Sequence, residues 1–126
     1  MLASKNRLKK KINFARIEID GIMYQSRSFG MGVYDRSKDF EGNDNNTDSH
    51  FGFIISTKIS KKAVVRNRIK RIIAEVIRTR LNEIKRGLDV VFLIKPSVVK
   101  ITKLELEKET YEIISKNIQI DTSLSN

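Results

Sequence analysis

The 126-residue chain has no cysteine, no tryptophan, one proline and a single histidine, His50. Without cysteine it can build no disulfide framework, no thiolate zinc site and no cysteine nucleophile, and one histidine is too few for a His-rich metal set or a His-based triad. Apolar runs are short. None approaches the roughly 18 uncharged residues of a membrane span, and basic residues 1–11 lack the apolar stretch of about 7 to 15 residues that a secretory signal needs. These absences predict a cytoplasmic protein with no membrane contact. Acids are also scarce: 15 Asp and Glu face 25 Lys and Arg, giving a net charge of +10. The 40% hydrophobic content is enough for one modest core, which excludes a wholly disordered chain.

The positive charge is unevenly placed. Residues 1–16 carry six basic groups and no acid, 17–56 are net acidic, 57–80 hold nine basic groups against Glu75 alone, and 81–126 balance. Two cationic blocks on so small a chain point to a polyanion, and phosphate is the obvious one. The acids Asp35, Asp39, Glu41, Asp44 and Asp48 are spread through a segment rich in Asn, Ser and Gly, a composition that fits a solvated loop better than a cation site.

Along the chain, a basic lead and a short helix up to Glu18 precede strands at 22–24 and 29–34, a long loop at 35–50, and an apolar strand at 51–56. Leu8, Ile12, Phe14 and Ala15 form the first helix's stripe. The 51–56 strand is expected to pair antiparallel with 29–34. Val65, Ile69, Ile72, Ile73 and Val76 recur at helical spacing from Ala63 to about Lys85, with Asn67, Arg71 and Arg78 opposite and Arg66, Arg68 and Lys70 at the margins. Gly87 is expected to end that helix. A buried strand follows at 89–94, then a helix with a Thr102–Glu105 capping box and Leu104, Tyr111, Ile114 and Ile118 on its apolar side. Residues 1–120 read as one domain and 121–126 as a disordered tail. Gly30 and Gly32 bare one face of their strand, for a bulge or a close approach. His50 reads as a solvated histidine at a loop end.

The most informative stretch is Val65-Arg66-Asn67-Arg68-Ile69-Lys70-Arg71, because a helix fixes the spacing of guanidinium forks that bind phosphates bidentately. R-N-R-I-K-R opening a basic helix after an apolar strand resembles the signature of the bacterial ribonuclease P protein subunit. Asn6-Arg7-Leu8-Lys9-Lys10 with Phe14, Arg27-Ser28-Phe29, Gly52, Ser56 and Lys58 at a strand end, and Lys95-Pro96 extend the likeness over roughly residues 5–117. The chain departs from that pattern in Ile59-Ser60-Lys61-Lys62, where a glycine turn is common, in Thr57, in Gly32 and in the length of the 35–50 loop.

The resemblance implies an α+β fold: a two-layer sandwich of a mostly antiparallel four-stranded sheet with three helices, ribosomal protein S5 domain 2-like, with a left-handed βαβ crossover. It implies an accessory subunit with no catalytic residue of its own, partnered one to one with a ribozyme RNA that requires Mg²⁺, the protein alone binding no metal or cofactor. Together they would remove the 5′ leader of precursor tRNA, with no stable protein partner. Arg66, Asn67, Arg68, Lys70 and Arg71, with Lys61 and Lys62, would meet the ribozyme RNA. Phe14, Arg27, Phe29 and Lys58, with Arg7 and Lys10, would hold the single-stranded leader, aromatic rings stacking bases and cations following the backbone. Phe14 on a short amphipathic helix fits a core position equally well. Two other readings share the charge pattern: a general nucleic-acid-binding protein, and a stand-alone metal-dependent nuclease using the loop carboxylates.

Overall fold

In the computed structural model, which describes residues 2–38 and 48–120, four strands form one mixed sheet. They are β1 (Ile22–Gln25), β2 (Phe29–Asp35), β3 (His50–Ile54) and β4 (Leu88–Ile94), standing side by side as β1-β2-β4-β3. Three helices accompany them: α1 (Lys11–Asp20), α2 (Ala63–Arg80) and α3 (Lys103–Asn117). The α+β class expected from the sequence is what the chain forms. The expected disordered tail, 121–126, and residues 39–47 of the long loop lie outside the described residues.

One pairing differs from expectation. β3 does not lie beside β2; it runs parallel to β4, with His50 opposite Asp89 and Ile54 opposite Leu93, while β4 is antiparallel to β2. The physical reason is β4's composition. Residues 90–94 of β4 are apolar on both sides and the strand is almost wholly buried, which suits a central strand with two neighbours, and the α2 connection supplies the crossover that parallel pairing needs. β3 is left as an edge, onto which the N-terminal segment lays one further bridge: Leu8 N–H donates to the Phe51 carbonyl at 2.9 Å.

Alternation along the strands sorts side chains onto two faces. Phe29, Met31, Phe51, Val90, Phe92 and Ile94 point toward α2 and α3 and make the main core with Ile69, Ile73, Ile77, Leu106, Ile113 and Ile114. Phe92 is its centre, edge-on to Phe29 at 5.4 Å and stacked on Phe53 at 5.6 Å. The opposite face carries Gly32, Gly52, Val91 and Leu93, and α1 lies across part of it through Phe14 and Ile17. A Cβ on Gly52 would stand 2.6 Å from the Phe14 ring, and one on Gly32 would stand 2.8 Å from Ile17. The two glycines are ledges for the helix, so close approach rather than a bulge explains the bare strand face.

The helix faces also shift from the sequence reading. α1 buries Ile17 and half-buries Phe14, leaving Ile12 72% exposed and Ala15 exposed, because the glycine ledges sit under the 14/17 sector. Leu8, the other member of the expected stripe, is buried but precedes the helix. α3 buries Leu106, Thr110, Ile113 and Ile114, with Leu104 76% exposed and Tyr111 exposed. Its capping box forms as expected: Glu105 N–H donates to the Thr102 hydroxyl and Thr102 N–H to the Glu105 carboxylate, each at 3.1 Å. α2 ends at Arg80 rather than near Lys85, passing into a 3₁₀ turn (Leu81–Glu83). Gly87, with φ of 78°, therefore opens the turn into β4 instead of capping the helix.

Candidate nucleic-acid interface

The turn before α2 is built by two serines. Lys58 N–H donates to Ser56 Oγ at 3.1 Å and Lys62 N–H to Ser60 Oγ at 3.2 Å, so Ser60 does with a hydroxyl what a glycine turn does with backbone freedom. The helix that follows turns its apolar stripe inward and leaves Asn67, Arg68 and Arg71 exposed or at the rim, with Lys61 and Lys62 exposed ahead of it. Arg66 bends back so that Nη1 donates to the Ser60 carbonyl at 2.7 Å, which fixes its guanidinium over the turn and occupies only one of its five donors. Lys70 is half-buried, where it lines a cavity of about 230 Å³ with Arg7, Phe14, Phe51 and Gly52. The seven residues expected to meet RNA thus share one helix and its leading turn.

On the other side of β3 an open groove of about 760 Å³ runs between α1 and the sheet. Phe14, Ile17, Met23, Ile54, Val91 and Leu93 make its walls, with Lys11 and Glu18 as charged members. Phe14 lines both this groove and the cavity containing Lys70, so the helix of cations and the apolar groove meet at one ring. Of the residues expected around the leader, Arg7 and Phe14 are brought together; Lys10 is exposed at the start of α1, and Lys58 is exposed in the turn beyond β3.

Two do not join them. Phe29 is fully buried on the opposite sheet face against Phe92, so its ring has no surface to offer a base. Strand parity puts it there: Gly30 and Gly32 occupy the α1-side positions of the same strand, and the odd-numbered neighbours face the main core. Arg27 is exposed at the β1–β2 turn, where it faces Glu105 of α3 at 3.9 Å rather than the groove. Sequence reasoning missed Met23, Ile54, Val91 and Leu93. The available signal was the even–odd parity of β3 and β4, in which the residues alternating with Phe53 and Phe92 are also apolar and so need a second covered face.

A buried charge cluster at the far end of the sheet ties α1 to β4. Asp89 is fully buried; it accepts from Arg16 Nη2 of α1 at 3.0 Å, pairs with Arg36 just beyond β2, and meets His50 Nδ1 at 3.0 Å. The Arg16 guanidinium also lies over the Tyr34 ring at 4.4 Å. His50 is therefore not the solvated loop histidine expected from sequence; parallel register sets it directly opposite Asp89. Among the described residues no group of three or more His, Cys, Asp or Glu is placed to hold a metal ion, and no helix is long and apolar enough to cross a membrane.

A cationic helix and a neighbouring apolar groove on one small α+β scaffold fit the class of basic nucleic-acid-binding proteins. The sequence profile of the ribonuclease P family matches residues 2–117. The chain is 30% identical over 116 residues to the ribonuclease P protein component of a Pseudanabaena strain, covering 92% of this chain and 94% of that one. Its fold superimposes on the ribonuclease P protein of Staphylococcus aureus with a TM-score of 0.74 at 25% identity, over 88% of this chain and 93% of that one. The Thermotoga maritima ribonuclease P protein, at 19% identity, shares the fold with a TM-score of 0.70 over 87% and 96% of the two chains. The chain belongs to the family of bacterial ribonuclease P protein components, accessory subunits of a tRNA-processing endoribonuclease.

Proposed function

We propose that this chain binds the ribozyme RNA of ribonuclease P through the exposed face of α2 and the 5′ leader of precursor tRNA through the α1 groove. The observation that carries the reading is Phe14, which lines both the cavity beside Lys70 and the groove. Arg66, Asn67, Arg68, Lys70, Arg71, Lys61 and Lys62 supply phosphate contacts, which give affinity that falls steeply with salt. The leader passes over an apolar floor, where a half-buried Phe14 can stack a base and Arg7, Lys10 and Lys11 follow the backbone; Lys58 lies at the β3 end. An apolar floor without a built hydrogen-bond pattern tolerates any leader sequence. Arg27 and Phe29 support this from outside the groove, Phe29 by packing the sheet from behind. The Mg²⁺ and the bond-breaking step belong to the RNA, the protein working in the cytoplasm as one copy per RNA.

The test is cleavage of a 5′-extended precursor tRNA at low millimolar Mg²⁺ by the cognate RNA alone, the protein alone, and both. Efficient cleavage at the mature 5′ end only by the combination is the expected result. Phe14→Ala is expected to weaken binding of a leader-bearing substrate by roughly 5- to 150-fold, from the roughly 1–3 kcal/mol of a lost stack, with a smaller loss of ribozyme RNA affinity. Protein-only cleavage makes the chain a nuclease in its own right, and no enhancement by folded protein returns it to a general nucleic-acid binder.

A further inference from the structure

A second cationic recess lies away from both surfaces. A pocket of about 320 Å³ opens where the N-terminal segment, the end of α2 and the approach to β4 converge, and it takes Lys5, Lys85 and Arg86 from two distant parts of the chain. All three cations are exposed, and none has an ion-pair partner among the described residues. One acid, Asp48, also lines the pocket, leaving a positive surplus.

The floor is rigid. Asn6 Nδ2 donates to the Ser49 carbonyl at 2.9 Å, Ser49 Oγ donates to the Lys85 carbonyl at 2.7 Å, and Leu88 N–H donates to Ser49 Oγ at 3.2 Å. Lys85 N–H donates to the Ile118 carbonyl at 2.9 Å, and Ile120 N–H to that of Glu83 at 2.7 Å, so the segment after α3 braces the same turn. Backbones carrying the cations are thus fixed from two sides, and only the side-chain tips need to order on binding. The N-terminal segment links the pocket to the interface already described. Arg7 lines the cavity with Lys70, and Lys5 lies at most about 7 Å of chain away from it.

We propose that the Lys5–Lys85–Arg86 pocket is a second phosphodiester site, which takes the backbone of the ribozyme RNA beyond the footprint of α2. The proposal rests on the RNA-binding reading above. It makes the N-terminal segment a strap of cations joining the two phosphate sites, which accounts for the position of the first cationic block against the second.

The experiment measures binding of the full chain to the ribonuclease P RNA of the same genome, transcribed in vitro, across a salt series. Lys85→Gln/Arg86→Gln is expected to lower the slope of log affinity against log salt by roughly 2, about one per lost phosphate contact. Since the chain has no cysteine, Thr79→Cys gives a single attachment point for an iron-EDTA cleaver about one turn from the pocket, which is expected to cut the RNA at one locus. An unchanged slope in Lys85→Gln/Arg86→Gln, with the slope falling normally in Arg66→Gln/Arg71→Gln, overturns the pocket alone. A lowered slope with no cutting from position 79 overturns it too, because the loss is then non-local. Failure of the unmodified protein to bind this RNA overturns the RNA-binding reading itself.

Discussion

Asp89→Asn should be a strongly damaging substitution although it is nearly isosteric. It keeps the shape and removes one charge, leaving Arg36, whose side chain is 6% exposed, and Arg16, 30% exposed, without their shared buried carboxylate. Breaking a buried pair from one side costs about 3–5 kcal/mol, because the remaining charge is stranded in a low dielectric. Arg16 and His50 keep partial access to water, so a loss near the lower end, about 3 kcal/mol, is expected. At a few degrees per kcal/mol for a chain of this size, the melting temperature should fall by about 10 °C. Guanidinium denaturation followed by circular dichroism would show the midpoint falling with an unchanged slope. Arg36→Met alone should cost a similar amount, and the double variant Asp89→Asn/Arg36→Met less than the two together, since each single change strands the other group. A loss below about 1 kcal/mol for Asp89→Asn, or strict additivity in the double variant, would refute the view that this cluster is a coupled, buried unit.

Other substitutions test other layers. Gly52→Val places branched carbon where a Cβ would stand only 2.6 Å from the Phe14 ring, so it should lift α1, cost about 1–3 kcal/mol and weaken leader binding before ribozyme RNA binding; equal loss of both affinities in a titration would contradict it. Phe92→Ala should cost about 3–5 kcal/mol, read by the same denaturation assay, because two aromatic partners lose their neighbour. Thr102→Ala removes the cap of α3 and should cost about 1 kcal/mol. The hydrogen bond from Thr102 N–H holds the Glu105 carboxyl below its ordinary value of 4.5. Its contribution is therefore complete above that value and lost as pH falls through the lowered one. Glu105→Gln should flatten this part of the acid side of the stability profile, and an unchanged profile would show that the cap carries none of it.

Much of the fold is legible in the sequence because three of its signals are local. The period-3.6 stripe of α2, the capping box of α3 and the apolar run 90–94 of β4 each show within a short window of the chain. Pairing is not legible in that way. The order β1-β2-β4-β3 depends on which strand is apolar on both faces, and the helix α2 that separates β3 from β4 in sequence hides that they are neighbours. The buried faces of α1 and α3 escape for a related reason. Hydrophobic spacing proposes Ile12 and Leu104, yet the ledges of Gly32 and Gly52 and the position of α2 decide which sector is covered, and those are tertiary facts.

The candidate site shows the same division in sharper form. The cations of α2 are readable since charge and helical period place them together without help from the rest of the chain. The groove is readable only in part, as it is assembled from α1 and from alternate residues of three strands. Phe29 and Met23 illustrate the failure: both sit in strand segments of similar apolarity, but one residue of register decides that Phe29 faces the main core and Met23 the groove. The Asp89 cluster lies beyond sequence reasoning altogether, because Arg16, Arg36, His50 and Asp89 come from four separate elements and none has a local pattern. Yet that cluster ties α1, one wall of the groove, to the sheet. On the proposed reading, a charge motif reveals where an RNA backbone is met, whereas the groove is shaped by packing, and a substitution away from the cationic helix, at Asp89, is expected to alter leader binding while leaving that helix intact.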